Sequence, residues 1–118
     1  SNDCLRQLTQ DDTWLAAMVA DGSDEAALEY HPMRHALTNV LGTSKRADVH
    51  LSERVLAGGE LLLLTTDGIH GVLEPPALRR MLDSGKDLEA MAQGLVAAAI
   101  RCGSRDNCTA LVAQYVHD

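Results

Sequence analysis

The most strongly patterned part of the chain is residues 60–71, where four consecutive leucines are followed by Thr-Thr-Asp-Gly. A short apolar run without alternation predicts a strand that is buried on both faces. The pair Gly58-Gly59 predicts a turn before this strand. The strand leads directly into Asp67-Gly68, so an acidic side chain is expected at the end of a rigid element. Taken alone, Asp-Gly is more typical of a tight hairpin turn.

Four other segments carry the apolar spacing or the boundary residues of helices. These helices are expected over residues 10–21, 24–30, 75–83 and 88–102. Asp11 and Asp12 would lie in the first turn of the first helix, where the helix dipole favours acidic side chains. Ser23 and Asp87 are expected to cap the second and fourth helices, and Pro75 opens the third, because proline is tolerated in a first turn.

Alternation of apolar and polar residues predicts strands elsewhere in the chain. They are expected over residues 4–9, 47–56 and 108–116, in addition to the leucine-rich strand at 61–66. The short connection between the strands at 47–56 and 61–66 favours antiparallel pairing of these two. Because strands and helices are mixed and no strand–helix–strand unit fixes a parallel sheet, the pattern predicts an α+β fold with an antiparallel sheet covered by helices.

The chain has 118 residues, which is the size of one domain or of part of one. Hydrophobic residues make up 46% and phenylalanine is absent, so the core must be aliphatic. The net charge of -7 argues against a nucleic-acid partner, whose phosphates would repel this surface, and it is compatible with divalent cations. We find no signal peptide and no apolar run of membrane length.

The three cysteines, Cys4, Cys102 and Cys108, are odd in number and form no Cys-x-x-Cys pair. A disulfide framework or a cysteine-rich zinc site is therefore not expected, and we expect a cytoplasmic protein. Cys102 and Cys108 flank a polar loop at residues 104–107, where we expect both to be small core residues.

Two acidic residues occupy similar positions relative to predicted strands. Asp67 ends one strand and Asp106 directly precedes another. If these strands are antiparallel neighbours, both carboxylates lie at the same edge of the sheet, where they would repel each other unless a divalent cation lay between them. Ligands that are all oxygen suit magnesium, manganese or calcium rather than zinc. The alternative for Asp106 is ordinary loop chemistry, because Asp-Asn side chains bond the local backbone.

Four segments, in order along the whole chain, resemble the metal-dependent serine/threonine protein phosphatases of type 2C (PPM). They are Leu-Thr-Gln-Asp-Asp-Thr at 8–13, His-Pro-Met-Arg at 31–34 with Leu-Thr-Asn-Val-Leu-Gly at 37–42, Leu-Leu-Thr-Thr-Asp-Gly-Ile at 63–69, and Gly-Ser-Arg-Asp-Asn-Cys-Thr at 103–109. Two differences stand out: Asp12 replaces the family's usual His, and Gly71 stands where the family often has Asp.

This resemblance implies half of an α-β-β-α sandwich, with antiparallel sheets flanked by helices. It implies two or more Mn²⁺ or Mg²⁺ ions in the complete domain, with Asp67 and Asp106 as metal ligands. A water bridging the ions would attack phosphorus, so that no side chain acts as the nucleophile. Asn107 would lie behind the ligands and orient Asp106 or its loop; an equally good interpretation is that it only stabilises the loop.

The family's amino-terminal motifs, a Glu-Asp pair, Asp-Gly-His-Gly and Gly-Asp-Ser/Ala, do not occur here. The resemblance therefore implies that residues 1–118 are the carboxy-terminal part of a catalytic domain and are inactive alone. The complete protein would hydrolyse phosphoserine or phosphothreonine in partner proteins and oppose a kinase. The alternative is a catalytically inactive, phosphatase-like regulatory or binding module. An isolated half would expose apolar sheet surface, and we expect it to self-associate.

Three histidines and one arginine are weaker candidates. His31 and His35 have the spacing of zinc ligands on a helix, but Pro32 lies between them and a third ligand is missing. In the family this segment lies in a flap beside the metals, so Arg34, with His31, is a candidate for contacting substrate phosphate; a solvated surface arginine is the alternative. His70 is a candidate proton donor to the leaving alkoxide, with a partly buried packing role as the alternative.

Overall fold

The computed structural model describes residues 4–117, and in this range it contains five helices and two strands. In chain order they are α1 (Trp14–Ala20), α2 (Glu25–Leu28), β1 (Leu61–Thr65), α3 (Asp67–His70), α4 (Pro75–Leu82), α5 (Leu88–Arg101) and β2 (Ala110–Gln114). The described chain divides into two compact units. The sheet unit comprises residues 4–6 and 54–117, and the loop unit comprises Gln7–Glu53. Among residues 4–117, none of the helices is both long and apolar enough to cross a membrane.

The sheet consists of β1 and β2, which pair antiparallel. In this register Leu61 lies opposite Gln114 and Thr65 lies opposite Ala110. The pairing continues past the strand ends, because the Thr66 backbone N–H donates to the Thr109 carbonyl at 3.1 Å. The predicted α+β class is confirmed, and the end of β1 and the beginning of β2 meet at one edge of the sheet.

One face of this sheet is covered by helices. The buried core of the sheet unit combines residues that follow β1 with residues of α4 and α5; its members are Ile69, Leu73, Leu78, Leu95 and Ala99. Leu63 of β1 and Val112 of β2 pack against this core. The α5 helix is capped as predicted, since the Asp87 carboxylate accepts the Ala90 N–H at 2.7 Å.

The other face of the sheet is open in the described chain. Leu64 and Leu111, which lie opposite each other in the register, are 53% and 54% exposed. The prediction that the leucine run is buried on both faces is therefore wrong for this chain. Successive side chains of a strand point to opposite faces, and only the face that carries Leu63 meets a layer of helices.

The loop unit is built from short helices and turns. Its first helix begins at Trp14 instead of residue 10, because Thr13 is the cap and accepts the Ala16 N–H at 3.2 Å. An isolated bridge pairs Thr13 with Leu37 and keeps the residues before α1 extended. Asp11 and Asp12 therefore precede α1 instead of lying in its first turn. Asp24, not Ser23, caps α2.

Two predicted strands do not form. Residues 4–9 and 47–56 have no strand in the described chain, and the apolar residues of the second segment are open to solvent, with Val55 99% exposed. The expected pairing of 47–56 with 61–66 is wrong, because the partner of β1 is β2. Alternation marks a segment that is able to form a strand, but the strand also needs a partner whose backbone groups are free.

Candidate functional site

Asp67 is positioned by a short helix at the end of β1. Thr66 is the N-cap residue and Asp67 the first helical residue of α3, so Asp-Gly does not form a two-residue hairpin here. Ile69 anchors this helix in the core with no exposed surface. The Gly71 N–H donates to the Asp67 carbonyl at 2.7 Å and closes the helix. The Asp67 backbone is thus fixed while its side chain is exposed.

Asp106 lies in the loop that joins α5 to β2. Gly103 ends the helix with a φ of 89°, a conformation that favours glycine. The next residue, Ser104, donates its backbone N–H to the Ala99 carbonyl at 3.0 Å. Within the loop, Asp106 Oδ1 accepts the backbone N–H of Asn107 at 2.7 Å. One carboxylate oxygen of Asp106 is therefore held by the loop itself.

Hydrogen bonds lock the two turns together. The Ser104 hydroxyl donates to the Gly68 carbonyl at 2.6 Å, and the Thr66 hydroxyl donates to the Asn107 carbonyl at 3.2 Å. The Thr66 hydroxyl also accepts the Thr109 N–H at 3.0 Å. The Gly68 backbone lies so close to the Asn107 carbonyl that a Cβ at position 68 would clash with it. The segments that carry Asp67 and Asp106 form one interlocked edge.

The structure thus brings the Asp67 and Asp106 segments together, as expected from the strand pairing. Both side chains are exposed, and neither forms an ion pair within residues 4–117. The donor set, two carboxylates without a cationic partner, fits a hard divalent cation. It is incomplete by itself, because no group of three or more His, Cys, Asp or Glu in this part of the chain is placed to hold a metal. Joint coordination of one cation stays a prediction.

Sequence reasoning missed the hydroxyls of Thr66 and Ser104, which join the two turns. Thr66 precedes a short helix, as N-cap residues do, but its side chain makes no cap hydrogen bond and reaches across to Asn107 instead. Asn107 contacts Asp106 through its backbone N–H. An orienting role for the Asn107 side chain stays a prediction.

His31 and Arg34 belong to the loop unit, where both have local contacts. The His31 ring stacks on Trp14 with centroids 4.2 Å apart, and His31 Nδ1 accepts the Met33 N–H at 3.1 Å. Arg34 is half-buried, and its Nη1 donates to the His31 carbonyl at 3.2 Å. Arg34 is therefore only partly open to solvent, and both the surface interpretation and a role at substrate phosphate stay predictions.

The remaining candidates lie in the sheet unit. His70 is exposed, so a partly buried packing role is wrong for it, and its Nδ1 lies 2.9 Å from the Thr65 hydroxyl. Cys108 is half-buried and packs against the core, as expected. Cys102 is exposed, because it caps the end of α5 on the outside, and the prediction of a core position for it is wrong.

The chain has relatives among curated proteins, although no protein-family model matches it. It is 28% identical over 115 residues to the serine/threonine phosphatase stp of Listeria innocua, which covers 96% of this chain and 45% of that protein. It is 31% identical over 114 residues to the serine/threonine protein phosphatase PstP of Mycobacterium tuberculosis, covering 95% of this chain and 22% of that protein.

A solved structure agrees with these relatives. The serine/threonine phosphatase of S. agalactiae superimposes with a TM-score of 0.89 and 27% identity, over 99% of this chain and 48% of that one. The chain is a relative of the type 2C (PPM) serine/threonine phosphatases. It spans less than half the length of the PPM relatives that it matches. The PPM phosphatases are metal-dependent in general.

Proposed function

We propose that the protein containing this chain hydrolyses phosphoserine or phosphothreonine in other proteins, with divalent cations held at the sheet edge by Asp67 and Asp106. The single observation that carries this proposal is the interlocking of the two turns by the hydroxyls of Ser104 and Thr66. In the same proposal, residues 1–118 are the carboxy-terminal part of the catalytic domain. Relatives named serine/threonine phosphatases support the reaction class.

The donor chemistry supports Mn²⁺ or Mg²⁺ as the cation, because both ions prefer oxygen ligands. When bound, such ions supply charge neutralisation for the phosphate and a water of lowered pKa. The chain itself contributes two carboxylates on a rigid edge, and the remaining ligands come from water or from residues outside the chain. Asp106 Oδ1 accepts the Asn107 N–H, and the remaining lone pairs of the carboxylate are available to a cation.

In this proposal Arg34 binds the substrate phosphate. Its Nη1 is engaged by the His31 carbonyl, and a guanidinium has further N–H groups that remain free to donate. The His31 ring, stacked on Trp14, supports the backbone that holds Arg34. The substrate is a phosphorylated protein, and the enzyme opposes a serine/threonine kinase.

Two further features belong to the proposal. The exposed pair Leu64 and Leu111 favours self-association of the isolated chain, because an open apolar sheet face is a ready contact surface. A cytoplasmic location is supported by the cysteines, all three of which are free thiols.

The test is hydrolysis of a phosphoserine peptide by the complete protein with and without Mn²⁺. Asp67→Asn and Asp106→Asn should each lower kcat by ~100-fold or more. Even the loss of a residue that only hydrogen-bonds to a metal ligand lowers metal affinity or activity by about 10–100-fold. Asp83→Asn is the matched control, because Asp83 is an exposed carboxylate whose partner is Arg79. Unchanged activity in both site variants would contradict the assignment of the ligands.

A second candidate function is a regulatory or binding module that keeps the fold without catalysis. It is favoured by the observation that residues 4–117 contain no group of three or more side chains placed to hold a metal. In the same experiment, this function predicts that the complete protein binds the phosphopeptide but releases no phosphate at any Mn²⁺ concentration.

A further inference from the structure

Each aspartate of the proposed site has a neighbour in the chain that is bonded to the segment of the other aspartate. Directly before Asp67, the Thr66 hydroxyl donates to the Asn107 carbonyl at 3.2 Å. Asn107 is the residue that follows Asp106. The Thr66 hydroxyl also accepts the Thr109 N–H at 3.0 Å, so both its donor and its acceptor capacity are used. The beginning of the Asp67 turn is therefore tied to the end of the Asp106 turn.

A second tie runs in the opposite direction along the chain. The Ser104 hydroxyl donates to the Gly68 carbonyl at 2.6 Å. This bond joins a residue that lies two positions before Asp106 to the residue that follows Asp67. The Ser104 backbone is fixed independently, because its N–H donates to the Ala99 carbonyl at 3.0 Å. We call these two hydroxyl ties, which bracket both aspartates, the clasp.

The Ser104 tie is the better sheltered half of the clasp. Gly68 is buried and Ser104 is half-buried, whereas Thr66 is exposed. A buried carbonyl that loses its hydrogen-bond donor has no water to replace it, and this loss is costly. The Cys108 sulfur lies 3.4 Å from the same Gly68 carbonyl, but a thiol is a weak donor and does not replace a hydroxyl. Loss of the Ser104 hydroxyl should therefore disturb the edge more than loss of the Thr66 hydroxyl.

The clasp acts through the backbone. Within residues 4–117, neither hydroxyl is hydrogen-bonded to a carboxylate, and both donate to main-chain carbonyls. Two ionised carboxylates on one edge repel each other, and the clasp holds the segments of Asp67 and Asp106 together against this repulsion. A site that is held in its binding geometry in advance loses less freedom when it binds its ligand. The expected consequence of the clasp is therefore tighter binding of a cation.

We propose that Ser104 and Thr66 are positioning residues whose clasp sets the cation affinity of the Asp67–Asp106 edge, with Ser104 contributing more. This inference rests on the proposed phosphatase function and deepens it. Neither hydroxyl touches the cation or the substrate. Their loss weakens cation binding and leaves the chemical step unchanged once the site is loaded.

The first experiment measures binding of Mn²⁺ to the complete protein without substrate, from the electron paramagnetic resonance signal of free Mn²⁺. Ser104→Ala should raise the Kd for Mn²⁺ by roughly 10–100-fold, the usual effect of losing a residue that orients metal ligands. Thr66→Val removes the hydroxyl and keeps the side-chain shape, and it should raise the Kd less. Thr66→Ser keeps the hydroxyl, and its Kd should equal that of the wild type. An unchanged Kd in Ser104→Ala, or equal Kd values in Thr66→Val and Thr66→Ser, would overturn the proposal.

Ser84→Ala is the matched control. The Ser84 hydroxyl also donates to a main-chain carbonyl at 2.6 Å, and it also follows the end of a helix. Its acceptor is Met81, only three residues away, so this bond joins no distant segments. The Kd for Mn²⁺ in Ser84→Ala should equal that of the wild type. If Ser84→Ala weakens binding as much as Ser104→Ala does, the effect is not specific to the clasp and the proposal is overturned.

The second experiment separates affinity from chemistry by following hydrolysis of a phosphoserine peptide while Mn²⁺ is varied. Ser104→Ala should need roughly 10–100-fold more Mn²⁺ for its half-maximal rate and should reach the kcat of the wild type at saturating Mn²⁺. If the wild type is active and Ser104→Ala has a lowered kcat at saturation, the positioning role is overturned while the proposed function stands. If the wild type binds Mn²⁺ and releases no phosphate, the proposed function fails, and the Kd values still decide whether the clasp sets cation affinity.

Discussion

The two units of the chain are stabilised by different interactions. Every fully buried apolar side chain in the described residues lies in the sheet unit, where Ile69 and Leu95 have no exposed surface. In the loop unit, polar side chains connect distant parts of the sequence: the Asp12 carboxylate accepts from Asn39 Nδ2 at 2.9 Å and lies 2.8 Å from His50 Nε2. The comparison teaches that the sheet unit is built on apolar packing, while side-chain hydrogen bonds that are exposed or half-buried connect the parts of the loop unit.

The largest expected change in stability comes from removing a core side chain of the sheet unit. Leu95→Ala deletes a fully buried side chain of α5 and should lower the free energy of unfolding by about 2–5 kcal/mol. Leu64→Ala makes the same change at a site that is 53% exposed, and should cost less than about 1 kcal/mol. Urea denaturation of both variants measures the difference. Equal losses would mean that the open sheet face is buried in solution.

A smaller effect is expected from adding a methyl group at the interlocked edge. In Gly68→Ala the new Cβ would clash with the Asn107 carbonyl, a backbone atom that cannot move without its loop. We expect a loss of roughly 1–3 kcal/mol, together with shifted NMR signals of Asp106 and Asn107. Urea denaturation and a ¹H–¹⁵N spectrum measure the two effects.

Gly94→Ala is the control for this prediction. Its Cβ would meet Met81 Sδ and Cε at 2.8 Å, but these atoms end a flexible side chain that is free to turn aside. Alanine also favours a helix interior over glycine by up to about 1 kcal/mol. Stability should therefore change little. If Gly68→Ala is as well tolerated as Gly94→Ala, the two turns are not interlocked as described.

The difference between the units also explains what the sequence could predict. The helices at 75–83 and 88–102 and the strand at 61–66 agree with the structure to within one or two residues. Their apolar spacing is itself the cause of their burial. The neighbouring positions of the Asp67 and Asp106 segments followed from the same strands.

Other contacts depend on residues far apart in the sequence and leave no periodic pattern. Thr66 bonds Asn107, and Asp12 bonds Asn39 and His50. Asn39 also pairs with both backbone groups of Asp48, at 2.8 and 2.9 Å, which occupies part of the segment that was predicted to be a strand. No local preference of these residues specifies such partners, so the loop unit and the links between the two turns were not predictable.

The smallest expected effect concerns the ionisation of Asp12 in the loop unit. Hydrogen bonds from Asn39 first, and then from His50, hold the pKa of the Asp12 carboxyl below its ordinary value of 3.8, against a small opposing effect of burial. A folded-state pKa below the unfolded one stabilises the fold above the unfolded pKa, and this contribution is lost as pH falls through the folded pKa. The loop unit should therefore loosen in acid below about pH 4, before the apolar core of the sheet unit does.

An NMR titration of the Asp12 carboxyl carbon measures this pKa directly. Asn39→Ala removes the main cause of the shift and should raise the Asp12 pKa towards 3.8, and His50→Ala should raise it less. The amide signals of β1 and β2 should be unchanged in both variants, because neither substitution touches the apolar core. An Asp12 pKa that is the same in Asn39→Ala as in the wild type would show that the contact does not persist in solution. The loop unit would then lack the side-chain connection that distinguishes it from the sheet unit.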